Sequence, residues 1–299
     1  MFNTPVLLII YNRIEETHNL FQIIREIAPS QLYVAADGPN PNVTDDYKKC
    51  LRTRCVIKPE WQCDQHNFFK EEHLGKTQMA YQSISWFFEH VEEGIILFDD
   101  TLPHADFFPF CEQLLEKYRN HNDVMHIAGS NFQKKHIDKR FSYYFSAYSY
   151  IWGFATWRRA WNNFDLSLQH IENNDFKSYV DLYIKRNKSR KRWMHIFNIL
   201  KNHNLNYWEF QYNFHIWKNS GYSIIPSKNL IKNVGFSKGR RNIRKLMRNT
   251  QSILPLRHPE GIRLNLEADH RAYKKVFKRA TFRVFRQAIS HAIGIKPKI

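Results

Sequence analysis

A mostly parallel sheet with helices on both faces, an α/β fold, is what this sequence predicts, and three observations predict it. Short β-branched or leucine-rich runs alternate with stretches of helical periodicity over about the first 130 residues. Several of those runs end in polar or glycine-containing turns: Asn12-Arg13, Asp37-Gly38, Asp99-Asp100 and Gly129-Ser130-Asn131. Right-handed crossovers gather such ends on one sheet edge, where open α/β sheets bind ligands.

In chain order, Pro5 to Ile10 reads as a strand buried on both faces, followed by the turn Tyr11-Asn12-Arg13 and a helix started by Glu15 or Thr17. That helix stops at Pro29, and Gln31 to Ala36 forms a second strand closed by Asp37-Gly38-Pro39-Asn40-Pro41. The lysine-rich stretch Asp45 to Arg54 predicts a helix, Cys55-Val56-Ile57 a short third strand, and Trp61 to Glu72 an irregular connection. After His73-Leu74-Gly75-Lys76, apolar residues from Met79 to His90 recur at helical spacing. Gly94 to Phe98 then forms the central strand, ending in Asp99-Asp100 and a turn-forming Leu102-Pro103. Phe107 to Tyr118 marks a further helix and Val124 to Gly129 a further strand.

Two adjacent carboxylates at a buried strand end suit a hard divalent cation and its phosphate ligands; a solvated acidic turn is the plain alternative. No turn carries G-x-G-x-x-G or G-x-x-x-x-G-K-[ST], so a nucleotide bound here has its phosphates held by a metal and side chains rather than by a glycine-rich loop.

Beyond Gly129 the alternation gives way to Tyr- and Trp-rich sequence, including Trp152-Gly153-Phe154-Ala155-Thr156-Trp157. Such a cluster is either core or an aromatic wall for a sugar ring, whose C–H face lies flat on an arene. Lys185 to Arg192 reads as a solvated helix face. The segment Tyr207-Trp208-Glu209-Phe210 places one carboxylate among rings; partial burial there suits a general base, and a hydrogen-bonded structural Glu is the other reading. Gly221 to Lys228 and Asn229 to Phe236 read as strands, Gly239 to Arg248 as a basic loop, and Asp269 to about Ile293 as a basic amphipathic helix. That helix either lies on a membrane surface or packs on the domain with its charges in water.

Composition sets outer bounds. The 299 residues, 43% of them hydrophobic, suffice for one large α/β unit, and a net charge of +17 with 15% aromatic residues favours anionic partners. A nucleic-acid partner is disfavoured, because no nucleic-acid motif appears and the basic residues concentrate toward the C-terminal part rather than along an aromatic platform. The four cysteines, Cys50, Cys55, Cys63 and Cys111, lack C-x-x-C spacing, which points away from a zinc site or disulfide framework. No export signal or membrane span is expected from the residues after Met1, and a cytoplasmic location, peripheral on the inner face of the membrane, is the expectation.

The ordered set Pro5-Val6-Leu7 to Asn12-Arg13, Ala35-Ala36-Asp37-Gly38-Pro39, Leu74-Gly75, Glu92 to Leu97, Asp99-Asp100, Leu102-Pro103, Trp152 to Trp161 and Pro226 to Phe236 resembles a bacterial family of GT-A-type nucleotide-diphospho-sugar glycosyltransferases of surface-polysaccharide biosynthesis. The resemblance spans roughly residues 4 to 260. It implies a Rossmann-like GT-A domain over residues 1–265, with a nucleotide-sugar-binding half (1–131), an aromatic-rich acceptor half (132–265) and the basic C-terminal helix (266–299) outside it. It implies a nucleoside diphosphate sugar donor, a UDP-sugar being favoured, a glycan or lipid-linked glycan acceptor, and a divalent cation, Mn2+ or Mg2+.

By carry-over, Asp100 ligates the metal, with Asp99 shared between metal and ribose or sugar. Tyr11, Asn12, Arg13, Asp37 and Gly38 flank base and ribose, Gly75 and Lys76 approach the diphosphate, and Glu209 is the candidate base. Trp152, Gly153, Trp157 and Trp208 are expected at the acceptor or sugar. Two positions depart from the pattern: Phe98 replaces the first carboxylate of an acidic triplet, and Ser237-Lys238-Gly239-Arg240-Arg241 lacks a metal-binding His, for which His258 is the substitute.

Overall fold

The computed structural model describes residues 2–133, 140–235 and 252–277. Its centre is β1 (Val6–Ile10), whose five residues are all buried, flanked by β2 (Gln31–Ala36) and β4 (Glu93–Phe98), both parallel to it. A run of Val, Leu and Ile with no polar alternation is what a strand covered on both faces requires. The crossovers are α1 (Ile14–Ile27), α2 (Asp46–Arg54) and α3 (Gly75–His90), and the edge strand β3 (Asp64–Phe69) pairs parallel with β2.

Two expectations change here. Cys55-Val56-Ile57 is the exit of α2 rather than a strand, and the third strand lies inside the segment expected to be irregular. Asp-Gln-His-Asn-Phe-Phe carries no apolar signature because an edge strand is half wet; it is held by rings, His66 stacking on Tyr33 at 4.6 Å and Phe68 on Trp86 at 5.1 Å.

After β4 the chain makes a tight turn into β5 (Thr101–Pro103), then α4 (Phe107–Tyr118) and β6 (Val124–Ala128). The aromatic stretch beyond supplies two further strands, β7 (Tyr143–Ser146) and β8 (Phe154–Trp157), followed by the single turn α5 (Arg158–Trp161). Then come α6 (Asn173–Tyr183), α7 (Asn187–Asn202), α8 (Trp208–Lys218), β9 (Tyr222–Pro226), β10 (Ile231–Asn233) and α9 (Leu266–Ala272), which runs on as a wider turn to Phe277.

The main sheet has the order β3-β2-β1-β4-β8-β6-β9-β7, with β8 and β7 antiparallel to the rest. The observed architecture is therefore mixed α/β with a large, mostly parallel sheet between helices. β8 is inserted between β4 and β6, so its amino end and the carboxyl ends of its neighbours share one rim. Leu102-Pro103, expected as a turn, pairs with β10 as a two-stranded ribbon in the register Ile231↔Pro103 to Asn233↔Thr101.

One apolar cluster covers the sheet under α1, α3 and α4; a second, dominated by rings, fills the space between α6, α7, α8 and β9. Trp193 and Trp217 meet there edge to face at 5.0 Å, and Phe277 lies 4.4 Å from Tyr148. Much of the aromatic surplus is thus core, and the described part of the C-terminal helix packs on the domain. Residues 278–299 and the basic loop 239–248 lie outside the described residues. Among the described residues no helix is long and apolar enough to cross a membrane.

Candidate functional site

The rim formed by the carboxyl ends of β1, β2, β4 and β6 is where the polar turns converge. At its centre, Thr101 closes the turn after β4: its hydroxyl accepts from Phe98 N at 3.0 Å and donates to Phe98 O at 2.7 Å. Asp99 and Asp100 stand at the tip of that turn. Asp99 is held from β1, its amide donating to Ile9 O at 3.0 Å and its Oδ2 accepting from Tyr11 N at 3.3 Å. Asp100 is braced by the residue that follows β10, Val234, whose N donates to its carbonyl at 2.8 Å.

A single atom joins the two carboxylates. Arg13 Nη1 donates to Asp99 Oδ1 at 3.2 Å and to Asp100 Oδ2 at 2.7 Å. Burial pushes the Asp99 carboxyl up to about 7 although Arg13 pulls it down. The Arg13 guanidinium is itself raised: burial lowers it, and Asp99 and Asp100 outweigh that. Gly235 packs over Asp100 so closely that a Cβ there would lie 2.4 Å from Asp100 Oδ2.

On the β1 and β2 side, the turn residues are fixed by a group that sequence reading did not single out. Buried Asp46, in the first turn of α2, accepts from the Tyr11 hydroxyl, from Asn12 Nδ2 at 2.5 Å and from Asn40 N at 2.7 Å. Its only sequence signal is a carboxylate at a helix start. The Tyr11 ring stacks on His73 at 5.0 Å, and the burial and the neighbouring Asp46 raise its phenol. Beside them opens a cavity of about 750 Å³ lined by Pro39, Asn40, Asp46, Tyr47, Glu72 and His73.

Asp37, expected at the ribose, has both oxygens spoken for. Oδ1 accepts from Gly38 N at 2.9 Å and Leu74 N at 2.8 Å; Oδ2 accepts from Gly75 N at 3.0 Å and pairs with His73 at 2.9 Å. At 4% exposure it acts as the N-terminal anchor of α3, satisfying amides that the helix itself leaves open.

The rings near Glu209 in sequence turn inward along α8, whereas Glu209 stays at the edge with its side chain 29% exposed and its Oε1 accepting from Lys76 Nζ at 2.5 Å. The structure thereby joins the expected phosphate-side lysine to the expected base, and Thr77 Oγ1 donating to Asn206 O at 3.0 Å ties α3 to α8 beside them. Trp208, fully buried, faces Phe98, its ring 6.1 Å away. It is a wall behind the acidic turn, not an exposed sugar platform.

The remaining expected residues divide between the two ends of the sheet. Trp152 and Gly153 reach the rim: Ser130 Oγ donates to Trp152 O at 3.1 Å and Gly129 N to Gly153 O at 2.9 Å. Gly153 takes φ +66°, and a Cβ there would meet Ile231 at 2.7 Å, so only glycine suits this bend. Trp157 does not reach it. It is buried in register with Glu93, at the amino end of β4, under Arg159 at 4.4 Å.

His258 is likewise displaced from the acidic pair. It bonds the Tyr143 hydroxyl at 2.9 Å and lines a cavity of about 650 Å³ with Pro5 and Glu93. Asp99 lies six steps along the chain from Glu93, roughly 20 Å at ~3.3 Å per step, so the substitute metal ligand expected from sequence is at the wrong end of the sheet.

Among the described residues no group of three His, Cys, Asp or Glu side chains converges as a metal cage. Two adjacent carboxylates do fit a hard cation that completes its shell with phosphate oxygens and water, the usual pattern for magnesium at nucleotide sites. What the rim provides chemically is a paired acid turn, one arginine spanning it, a lysine–glutamate pair at its side and a groove at the β2 end.

No protein-family model matches the chain, and no curated protein matches it. Among solved structures, the chain is similar to the mannosyltransferase PcManGT from Pyrobaculum calidifontis in complex with GDP-Man and Mn2+, at 13% identity and a TM-score of 0.38 over 72% of this chain and 69% of that one.

Proposed function

We propose that this chain is a nucleotide-sugar-dependent glycosyltransferase that moves a hexose or N-acetylhexosamine from a nucleoside diphosphate sugar, a UDP-sugar being favoured, to a glycan or lipid-linked glycan. The observation that carries the reading is the meeting, on one rim of a mostly parallel sheet, of Arg13, Asp99 and Asp100 with the Lys76–Glu209 pair. In glycosyl transfer the diphosphate leaves with growing negative charge, and a site that answers that charge and also holds a base beside it suits the reaction.

The residues divide the work as follows. The groove beside Tyr11 and His73 takes the nucleoside, with Asp46 fixing its wall. Asp99 and Asp100 hold a divalent cation, Mn2+ or Mg2+, which when bound neutralises the diphosphate. Arg13 and Lys76 add positive charge at the phosphates. Glu209, once Lys76 turns to a phosphate, takes the proton of the acceptor hydroxyl; a base on the face opposite the leaving group makes the transfer inverting. Trp152 at the rim borders the sugar or acceptor. Action at the inner membrane face follows from the lipid-linked acceptor and the charge of +17.

Release of nucleoside diphosphate from a panel of nucleotide sugars tests this, after a screen for donors that raise the melting temperature in manganese. Turnover is expected with one donor, loss on EDTA and loss in Asp100→Ala; equal activity in all four combinations of wild type and Asp100→Ala with and without EDTA overturns the metal assignment. Phe98 in place of a carboxylate favours one rival, a binding-only partner subunit. Uptake of nucleotide with no release of nucleoside diphosphate from any donor, glycan acceptors present, would establish that rival instead.

A further inference from the structure

One nitrogen of Arg13 bonds both carboxylates of the pair at which a divalent cation belongs. A cation bridging these two oxygens would take the position that Nη1 now fills, 3.2 Å from Asp99 Oδ1 and 2.7 Å from Asp100 Oδ2, and two positive charges cannot share it. The acidic turn is the fixed partner: the main chain of Asp99 is bonded to Ile9 and its carboxylate to Tyr11 N, and the main-chain carbonyl of Asp100 is held by Val234 N. Arg13 is the adjustable one. Its side chain is 43% exposed, and its Nε and Nη2 make no hydrogen bond to the described residues.

A metal ion arriving alone exchanges this guanidinium for two carboxylates and water, with no third His, Cys, Asp or Glu converging on the pair among the described residues. A metal arriving with a diphosphate brings further oxygens for itself. It also brings acceptors for the guanidinium it displaces, since arginine pairs with phosphate through two parallel N–H bonds.

We propose that Arg13 is an internal competitor for the cation position, which makes divalent-cation binding conditional on a diphosphate ligand. Cation and nucleoside diphosphate then bind weakly apart and strongly together, and by linkage each tightens the other by the same factor. The identity of the diphosphate rests on the glycosyltransferase reading; the competition between Arg13 and the cation does not.

The test titrates Mn2+ into the full chain and reads free Mn2+ by electron paramagnetic resonance, alone and with saturating UDP, with GDP as a second probe; calorimetry measures each nucleotide with and without Mn2+. Wild type is expected to bind Mn2+ about 10- to 100-fold more tightly with nucleotide present, and the nucleotide to gain the same factor from Mn2+. Arg13→Gln is expected to bind Mn2+ alone more tightly than wild type and to lose most of the coupling. Arg13→Lys, with one compact charge at the pair, is expected to stay close to wild type for Mn2+ alone.

Arg13 gives α1 no side-chain cap, so the variants are expected to keep the fold, with Arg13→Gln melting lower than wild type by the lost pairing to Asp99 and Asp100. Mn2+ binding no tighter in Arg13→Gln, or equal in wild type with and without bound nucleotide, overturns the proposal. No uptake of UDP or GDP under any condition overturns the glycosyltransferase reading and with it the coupling, while the Mn2+ comparison between wild type and Arg13→Gln still decides the competition.

Discussion

Lys76 and Glu209 form a contact whose stability and function come apart. The pair is exposed on the lysine side, 70%, and 29% exposed on the glutamate side, so screening leaves it worth at most about 1 kcal/mol to the fold. In the proposed role of base at the reacting hydroxyl, by contrast, Glu209 would be worth roughly 100- to 10,000-fold in rate. Glu209→Gln is therefore expected to unfold in urea at a midpoint close to wild type and to bind donor normally while turnover collapses; unchanged turnover removes Glu209 from the mechanism. Both residues were visible in the sequence, Lys76 beside a Gly turn and Glu209 among rings. Their partnership was not, because 133 residues separate them.

At the scale of elements, the acidic turn is built by neighbours on both sides: β1 supplies the acceptor for Asp99, and Val234, just past β10, the donor for Asp100. The α3 entrance depends in the same way on Asp37, whose carboxylate takes two helix-end amides from a different loop. Asp37→Ala frees those amides and is expected to cost about 1–3 kcal/mol. Amide exchange in the first turn of α3 should rise while the strands stay protected; uniform exchange across the fold would show that the anchor is not local.

The central elements were legible because β1, β2, β4 and α4 are written in unbroken apolar runs or helical periods. Polar β3 was not legible, since pairing and ring stacking hold it. Nor were β7 and β8: Tyr- and Trp-rich stretches show no alternation when both faces of a strand are covered. Asp46 was missed for a similar reason, its role consisting wholly of contacts to another turn.

For the whole molecule, four buried titratable groups set the response to acid in opposite directions. Burial lowers His126 to about 3 and His215 to about 4, from 6.5; both stay neutral in the fold while the unfolded chain takes up protons, so their contribution is full above 6.5 and is lost as pH falls. Burial raises Asp99 and Asp269 to about 7 from 3.8; the folded chain then holds the extra protons between those values, and stability drops as pH rises through that window. Between pH 4 and 6.5 these two pairs act in opposite directions.

Asp269→Asn removes one acid from the balance while leaving an oxygen for Ala147 N. Its stability in urea is expected to fall more steeply than that of wild type as pH drops from 6.5 to 4; parallel curves for the two proteins would show that Asp269 carries no such proton.

The separations along the chain at the rim have a consequence for synthesis. Arg13 meets Asp99 across 86 residues and Lys76 meets Glu209 across 133, so no contiguous fragment smaller than most of the protein holds the whole constellation. A nascent chain that has released only its first hundred residues can already pair β1, β2 and β4, yet it presents the two acids without the ribbon strand that braces them. The proposed chemistry at this rim would thus be a property of the finished polypeptide, acquired after α8 and β10 have emerged and docked, and a half-made chain would lack the constellation that the proposal requires.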